Sequence, residues 1–310
     1  MPFCLRPDGW IARAQVWLGT LVEVALPASG ASEARFAAAF AAIAHVHRTM
    51  SAHDATSDLA RIARDAHRRT VTVDADTYAV LALAQTMFRE SRGTFDVTIA
   101  PLLAHYGLLP APAAGLDAHC GRMDALRLES RLGVRATAPV ALDLGGIAKG
   151  YAVDRAVDAL YAAGARAGLV NAGGDLRVFG AGVWMPIGVR HPALPAQILK
   201  LCEIRDAAVA TSANYFRDAR GGLVEPRTQT LRPFPGSITV VAPTCALADA
   251  LTKIVALRPA ESTALLARHG AHAFLLDARV PHASPHIAST CATTCVATTA
   301  NLRLALAAAA

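Results

Sequence analysis

The chain has 310 residues, 54% of them apolar, and a formal net charge of +6. That apolar content is enough to bury one large core or two smaller ones. The positive charge is dispersed as arginine singles and pairs (Arg68 and Arg69, Arg217 and Arg220), with no basic stripe interleaved with aromatics, so nucleic acid is excluded as an expected partner. No apolar stretch is long and charge-free enough to span a bilayer.

Taken in chain order, Trp10 to Leu26 alternates around QVWLGTLVEVAL and predicts strand, turn and strand. Ser32 then caps a predicted helix with Phe36, Phe40, Ile43, Val46 and Met50 on one face. The polar run SAHDATSDL leads to a short helix near Leu59 to Arg64, and a longer helix over Asp76 to Arg92 is stopped by Gly93. Pro110 to Gly121 is rich in Pro, Ala and Gly and reads as a linker or exposed loop. Beyond Gly150 a helix runs to Gly164. Short strands follow at Ala167–Val170, Arg177–Phe179, Trp184–Arg190, Leu199–Ile204 and Ala207–Thr211. Ser237–Val241 is a β-branched strand leading into a helix from Thr244 to Leu257, and a further helix precedes a strand at Ala273–Leu276. This mixture predicts an α+β fold with mixed, largely antiparallel sheets and packed helices. The expected organisation is one domain over residues 1–280, followed by an Ala/Thr-rich tail over 281–310 with little order.

Of six cysteines, Cys4, Cys120, Cys202 and Cys245 stand singly among apolar residues and read as reduced small residues. Cys291 and Cys295 form a C-x₃-C pair, a poor metal signal without a second pair, although His282 and His286 lie just upstream. His45, His47 and His67 read as surface or satisfied histidines. The N-terminal MPFCLRPDGWIARAQ has no charged region ahead of an apolar core, and Cys4 comes too early for a lipid anchor. A cytoplasmic location is therefore expected, or a periplasmic one if the true start lies upstream.

Polar islands interrupt the apolar pattern. In ALDLGGIAKGYAVDR (141–155), Gly145 and Gly146 leave the backbone bare beside Asp143 and Lys149 at the mouth of a helix. Bare backbone, a cation and a positive helix end are the parts of a phosphate-binding loop, although neither the P-loop nor the Rossmann order is present. The others are Ser91–Thr98 with Asp96, Asn171–Asp175, Thr211–Tyr215, and the helical run Ala248–Lys253, where Asp249 faces Thr252 and Lys253. Asp and Thr oxygens on that helix would suit Mg²⁺. Taken singly, these islands read about equally well as turns, caps or a helical ion pair.

Together and in this order, the segments resemble the ApbE-type FAD:protein FMN transferases. The matching runs are WLGT (17–20), the S-x₅-SDL pattern of Ser51 to Leu59, SRGTFDVTIAPL (91–102), DLGGIAKGYAVDR (143–155), NAGGDLRVFG (171–180), TSANY (211–215) and SITVVAPTCALADAL (237–251). The resemblance implies an Mg²⁺-dependent enzyme that binds FAD in a cleft and splits its diphosphate. AMP is released, and FMN is joined by a phosphoester to a Ser or Thr of an acceptor flavoprotein. By position, it implies FAD contacts from Asp143, Lys149, Thr94, Phe95 and Asp96, with Asp175 and Thr211 lining the same site. Leu18 stands where the family usually has a methionine beside the flavin. Gly146 (through its carbonyl), Asp249 and Thr252 are the implied metal positions, and Asp249 and Lys149 the implied catalytic residues.

Besides Leu18, two further segments depart from the pattern. The family's metal helix commonly has Thr four residues after the Asp. Here Lys253 stands there and Thr252 is one residue early. An ammonium cannot ligate Mg²⁺, but it could replace part of the ion's charge, or Thr252 could reach in after a small shift. The segment usually reading His-x-x-Asp-Pro-x-Thr-Gly is Gly222-Leu-Val-Glu-Pro-Arg-Thr-Gln229, without the His. If that His assists proton removal from the acceptor hydroxyl, its loss would slow transfer roughly 10²–10⁴-fold. These departures keep a flavin-binding protein with weak transfer, or an FAD pyrophosphatase, as alternative readings.

Overall fold

A computed structural model describes residues 2–4, 7–52, 54–110, 122–180, 182–192, 194, 196–213, 222–234, 236–277, 286–287 and 302–304. Among these the architecture is α+β with antiparallel sheets and packed helices, as the sequence pattern predicts. The Pro/Ala/Gly-rich loop and most of the tail lie outside the described residues. So do Asn214 and Tyr215, and the side chains of Cys4, Cys120, Cys291 and Cys295. Two short strands from the tail, His286–Ile287 and Leu302–Leu304, are described.

The chain divides into two compact units, one formed by residues 1–43, 149–221 and 233–310, the other by 44–148 and 222–232. The first is built on an eight-stranded sheet. Across it the strands run Trp10–Trp17, Thr20–Pro27, Gly168–Ala172, Asp175–Phe179, Ala207–Ala213, Gly236–Ala242, His272–Asp277 and His286–Ile287, each antiparallel to the next. Alternation along these strands sorts side chains to two faces. On one face, Val22, Val24, Leu26, Val170 and Phe179 meet Phe36 and Phe40 of helix Glu33–Thr49 and Val153, Val157 and Leu160 of helix Ala148–Ala162. On the other, Leu169, Leu176, Val178 and Val209 pack against Met185, Ile187, Val189, Leu201 and Ile204 of a second, four-stranded sheet. Both faces of the inner strands are thus covered by apolar side chains, which is why strands such as Gly168–Ala172, Ala207–Ala213 and Gly236–Ala242 read as short apolar runs, whereas the edge strand Trp10–Trp17 is largely exposed.

Helix Cys245–Leu257 packs on strands Ala207–Ala213 and Gly236–Ala242. Its N-cap residue, Thr244, makes no side-chain cap bond. Instead Asp154, projecting from helix Ala148–Ala162, accepts the Cys245 and Ala246 N–H groups, each at 2.9 Å. A carboxylate on one helix therefore closes the positive end of another. Arg177 completes the joint by donating to Asp154 at 2.8 Å. The close approach requires Gly150, since a Cβ there would lie 2.5 Å from the Cys245 carbonyl carbon and 2.8 Å from the Ala246 nitrogen.

The second unit carries helices Asp58–Asp65, Ala75–Glu90 and Ala100–His105 with a three-stranded sheet of Val71–Thr72, Gly133–Ala136 and Leu126–Glu129. Ser57 caps the first helix by accepting from Ala60 N at 3.1 Å, and Asp58 accepts the Asp74 N–H at 2.8 Å. The SDL run thus has a folding role. Strands Gly222–Glu225 and Thr230–Pro233 form a hairpin whose turn holds Gln229 at φ 55°. No helix among the described residues is long and apolar enough to cross a membrane.

Candidate functional site

The first unit gathers Lys149, Asp175, Asp249, Thr252 and Lys253 into one charged cluster. Lys149 opens helix Ala148–Ala162, and Asp175 is the first residue of strand Asp175–Phe179, directly after a two-residue glycine turn. Gly173 and Gly174 both have positive φ, and Gly174 N donates to Asn171 Oδ1 at 2.9 Å, so the NAGGD run is a hairpin turn that aims Asp175. Asp175 and Arg177, two residues apart, share a strand face and meet Lys149 and Asp154 of the same helix.

Lys149 Nζ pairs with Asp175 Oδ2 and lies 3.4 Å from Asp249 Oδ2, which also accepts from Gly150 N at 3.4 Å. Lys253 Nζ donates to the other oxygen, Asp249 Oδ1, at 2.5 Å. Asp249 and Thr252 are fully buried and Asp175 is 3% exposed, whereas the two lysine side chains keep 33% and 24% of their surface. The acids are therefore sealed, while each lysine side chain keeps part of its surface exposed.

The titration directions follow this arrangement. Burial works against the charge on Lys149, but Asp175 and Asp249 outweigh it and hold the ammonium well above its ordinary range. Burial is also the largest influence on Asp249, yet Lys149 and Lys253 together pull its carboxyl below the usual value. Asp175 is pushed up, by burial first and by repulsion from Asp249 second. Burial drives the Cys245 thiol well upward, which fits a small core residue, and Cys202 is likewise free and buried.

Thr252 Oγ1 donates to the Asp249 carbonyl at 2.7 Å, shares a hydrogen bond with Ser212 Oγ at 2.7 Å and accepts from Lys253 Nζ at 3.0 Å. Ser212, absent from the sequence-based candidates, joins the cluster because it faces the helix. Thr211, one residue earlier, shares a hydrogen bond with Thr239 at 2.8 Å. Strand alternation separates the two neighbours.

As folded, the Asp249 site does not fit Mg²⁺. That ion takes oxygen donors in a near-octahedral shell, but both Asp249 oxygens face protein N–H groups and the Thr252 hydroxyl is engaged on three sides. Gly146, the third implied position, lies with Gly145 in the turn entering helix Ala148–Ala162 and is counted with the second unit. Elsewhere in that unit, His45 Nε2 lies 3.1 Å from Asp74 Oδ2 and 3.8 Å from Asp76 Oδ2, a partly exposed trio close enough together to hold a cation.

Leu18 sits at φ 55° beside Gly19 at φ 71° in the turn between the first two long strands, packed against the helix-side core. A leucine in the left-handed region is uncommon, and such strain is often found where a ligand is clamped. In the second unit, Thr94, Phe95 and Asp96 are all buried. Asp96 Oδ1 accepts from Thr98 N at 2.8 Å and Thr98 Oγ1 at 2.6 Å, and Oδ2 accepts from Met123 N at 3.2 Å. The FDVT run is thus an Asx-type turn. Burial raises the Asp96 carboxyl despite these three donors. Asp143 is anchored by its N–H to the Val97 carbonyl at 2.8 Å, and its carboxylate leans over Gly145, where a Cβ would lie 3.2 Å from Oδ2.

The ApbE family model matches residues 18–275. An FAD:protein FMN transferase of Treponema pallidum is 28% identical over 294 residues, covering 82% of this chain and 81% of that protein. Among solved structures, the flavin transferase ApbE of Vibrio cholerae aligns with a TM-score of 0.73 at 22% identity, covering 87% of this chain and 94% of that one. The ApbE protein of Thermotoga maritima aligns at 0.76 and 24%, covering 91% and 97%. At those identities the two structures speak for the fold. The family match covers most of the sequence, including every run quoted for the resemblance except Trp17 of WLGT, and this chain belongs to the ApbE family.

Proposed function

We propose that this chain is an FAD:protein FMN transferase. It splits the FAD diphosphate, so that the bond from the FMN phosphorus to the bridging oxygen breaks and AMP leaves. A bond forms from the same phosphorus to a Ser or Thr oxygen of an acceptor flavoprotein, whose hydroxyl proton is lost. The observation that carries this reading is the Lys149–Asp175–Asp249 cluster, sited on the family's own motifs. The name carried by the relatives agrees with it.

Lys149 holds its proton, and on this reading its ammonium meets the charge that builds on the diphosphate oxygens. Asp175 and Asp249 hold that ammonium in position from behind. Leu18 is a candidate flavin contact, as are Thr94, Phe95, Asp96 and Asp143; Thr211 remains a candidate on its motif alone. The family resemblance implies Mg²⁺ held by Gly146, Asp249 and Thr252, but with the Asp249 oxygens and the Thr252 hydroxyl already engaged by protein groups no step of this reading is assigned to that ion. No side chain stands at the family's His position, because residue 222 is glycine and a Cβ there would lie 2.6 Å from the Arg232 carbonyl oxygen.

The test incubates purified protein with FAD and an acceptor domain carrying a Thr, following AMP release together with a mass gain of one FMN on the acceptor. Both signals are expected, and Lys149→Met should reduce them roughly 10²–10⁴-fold. AMP without labelling would turn the reading into hydrolysis. Bound FAD with neither product would leave a flavin binder.

A further inference from the structure

Lys253 does what a threonine hydroxyl at its position cannot do. Its ammonium lies 2.5 Å from Asp249 Oδ1, on a carboxylate with no solvent exposure, while Lys149 and the Gly150 N–H cover Oδ2. The four charged groups, Lys149, Lys253, Asp175 and Asp249, sum to zero without any metal. With threonine at 253 the same cluster would carry one uncompensated negative charge in a buried setting, which is costly unless a cation arrives. Thr252, a residue early for the family spacing, spends its proton on the Asp249 carbonyl and its lone pairs on Ser212 and Lys253. Both Asp249 oxygens and the Thr252 hydroxyl are thus already engaged by protein groups.

We propose that Lys253 is a built-in counter-ion that takes the place of a divalent cation on Asp249, so that this site balances its buried acids with protein charge and does not require a metal there. The proposal rests on the transferase reading only for its consequence in catalysis; the claim about Asp249 stands on the geometry. Lys253 neutralises Asp249 through its ammonium, and on the transferase reading the same charge contributes positive potential toward an incoming diphosphate.

The experiment titrates the metal-stripped full chain with Mn²⁺, reading free Mn²⁺ by electron paramagnetic resonance. Wild type is expected to show no equivalent of Mn²⁺ that disappears in Asp249→Asn. Lys253→Thr is expected to gain one, at least about tenfold tighter than any wild-type binding, and to lose it in the Lys253→Thr, Asp249→Asn double variant; the Asp249 dependence separates this site from the His45 trio. One wild-type equivalent abolished by Asp249→Asn would overturn the proposal, as would a folded Lys253→Thr protein that gains nothing. Should that variant fail to fold, the wild-type titration still decides. In parallel, FAD cleavage by wild type should withstand EDTA, whereas Lys253→Thr should respond to Mg²⁺. A chain that cleaves no FAD under any condition defeats the transferase reading, and the Mn²⁺ result still judges Lys253.

Discussion

Two buried carboxylates, one in each unit, have been given opposite electrostatic surroundings. Asp249 in the first unit is faced mainly by ammonium groups and is pulled below the ordinary carboxylate range. Asp96 in the second is faced by two backbone N–H groups and a hydroxyl, and is pushed above it. At Asp96 neutral dipoles soften the cost of burial without cancelling it, and at Asp249 two ammonium groups outweigh it, whereas Asp175, paired with Lys149 but facing Asp249, stays raised. The dipole-held acid fixes a local turn through Thr98 and Met123. The charge-held acid sits between two lysines whose side chains are partly exposed.

The comparison breaks most severely at Asp154, which combines both modes. Asp154→Ala should cost about 3–5 kcal/mol, because it strips two N–H groups of their acceptor and leaves the Arg177 charge without this partner. Chemical denaturation measures the loss, and an unchanged midpoint would show that the helix end is capped by other means.

Asp96→Asn is the sharper probe of the dipole mode. An amide nitrogen facing the Met123 N–H leaves a buried donor unsatisfied, for an expected loss of about 1–3 kcal/mol. The sign with pH is set by the raised folded value. The wild-type group contributes stability fully below its unfolded value of about 3.9 and loses it as pH rises through the higher folded value. The variant lacks that dependence, so its deficit should narrow from acid to neutral pH in thermal melts. A widening gap would mean that the folded value is not raised.

The smallest effect is expected at Gln229, which holds φ 55° where the family pattern has glycine. Gln229→Gly removes left-handed strain worth about 1–2 kcal/mol but adds chain entropy to the unfolded state, for a net gain of up to about 1 kcal/mol. A lower denaturation midpoint would show that the Gln229 side chain contributes more than its backbone costs.

Much of this was legible in the residues themselves. The hairpin around Trp17 to Thr20, the helices after Ser32 and Gly150, and the strands of the main sheet other than His286–Ile287 follow from period and punctuation. The strands Val71–Thr72, Leu126–Glu129 and Gly133–Ala136 do not, because runs of two to four residues carry too few alternations to register. At the site, Asp249 and Lys149 stood out by motif, but Ser212 did not, since the choice between it and Thr211 depends on which face of a strand a helix covers. Asp154 was read as one letter of GYAVDR; its partners lie more than ninety residues along the chain at Cys245 and Ala246, a separation that no local pattern can encode.

The pairing of Val22 with Ala172 has a consequence for biosynthesis. The N-terminal hairpin emerges early, yet the strand that covers its inner edge follows only after the whole 44–148 segment of the other unit has been made. Until then the nascent chain presents an apolar strand with open hydrogen-bonding groups, the kind of edge that recruits other chains. Closure at such sequence separation is slow, so the yield of soluble protein should depend on translation rate and chaperone supply.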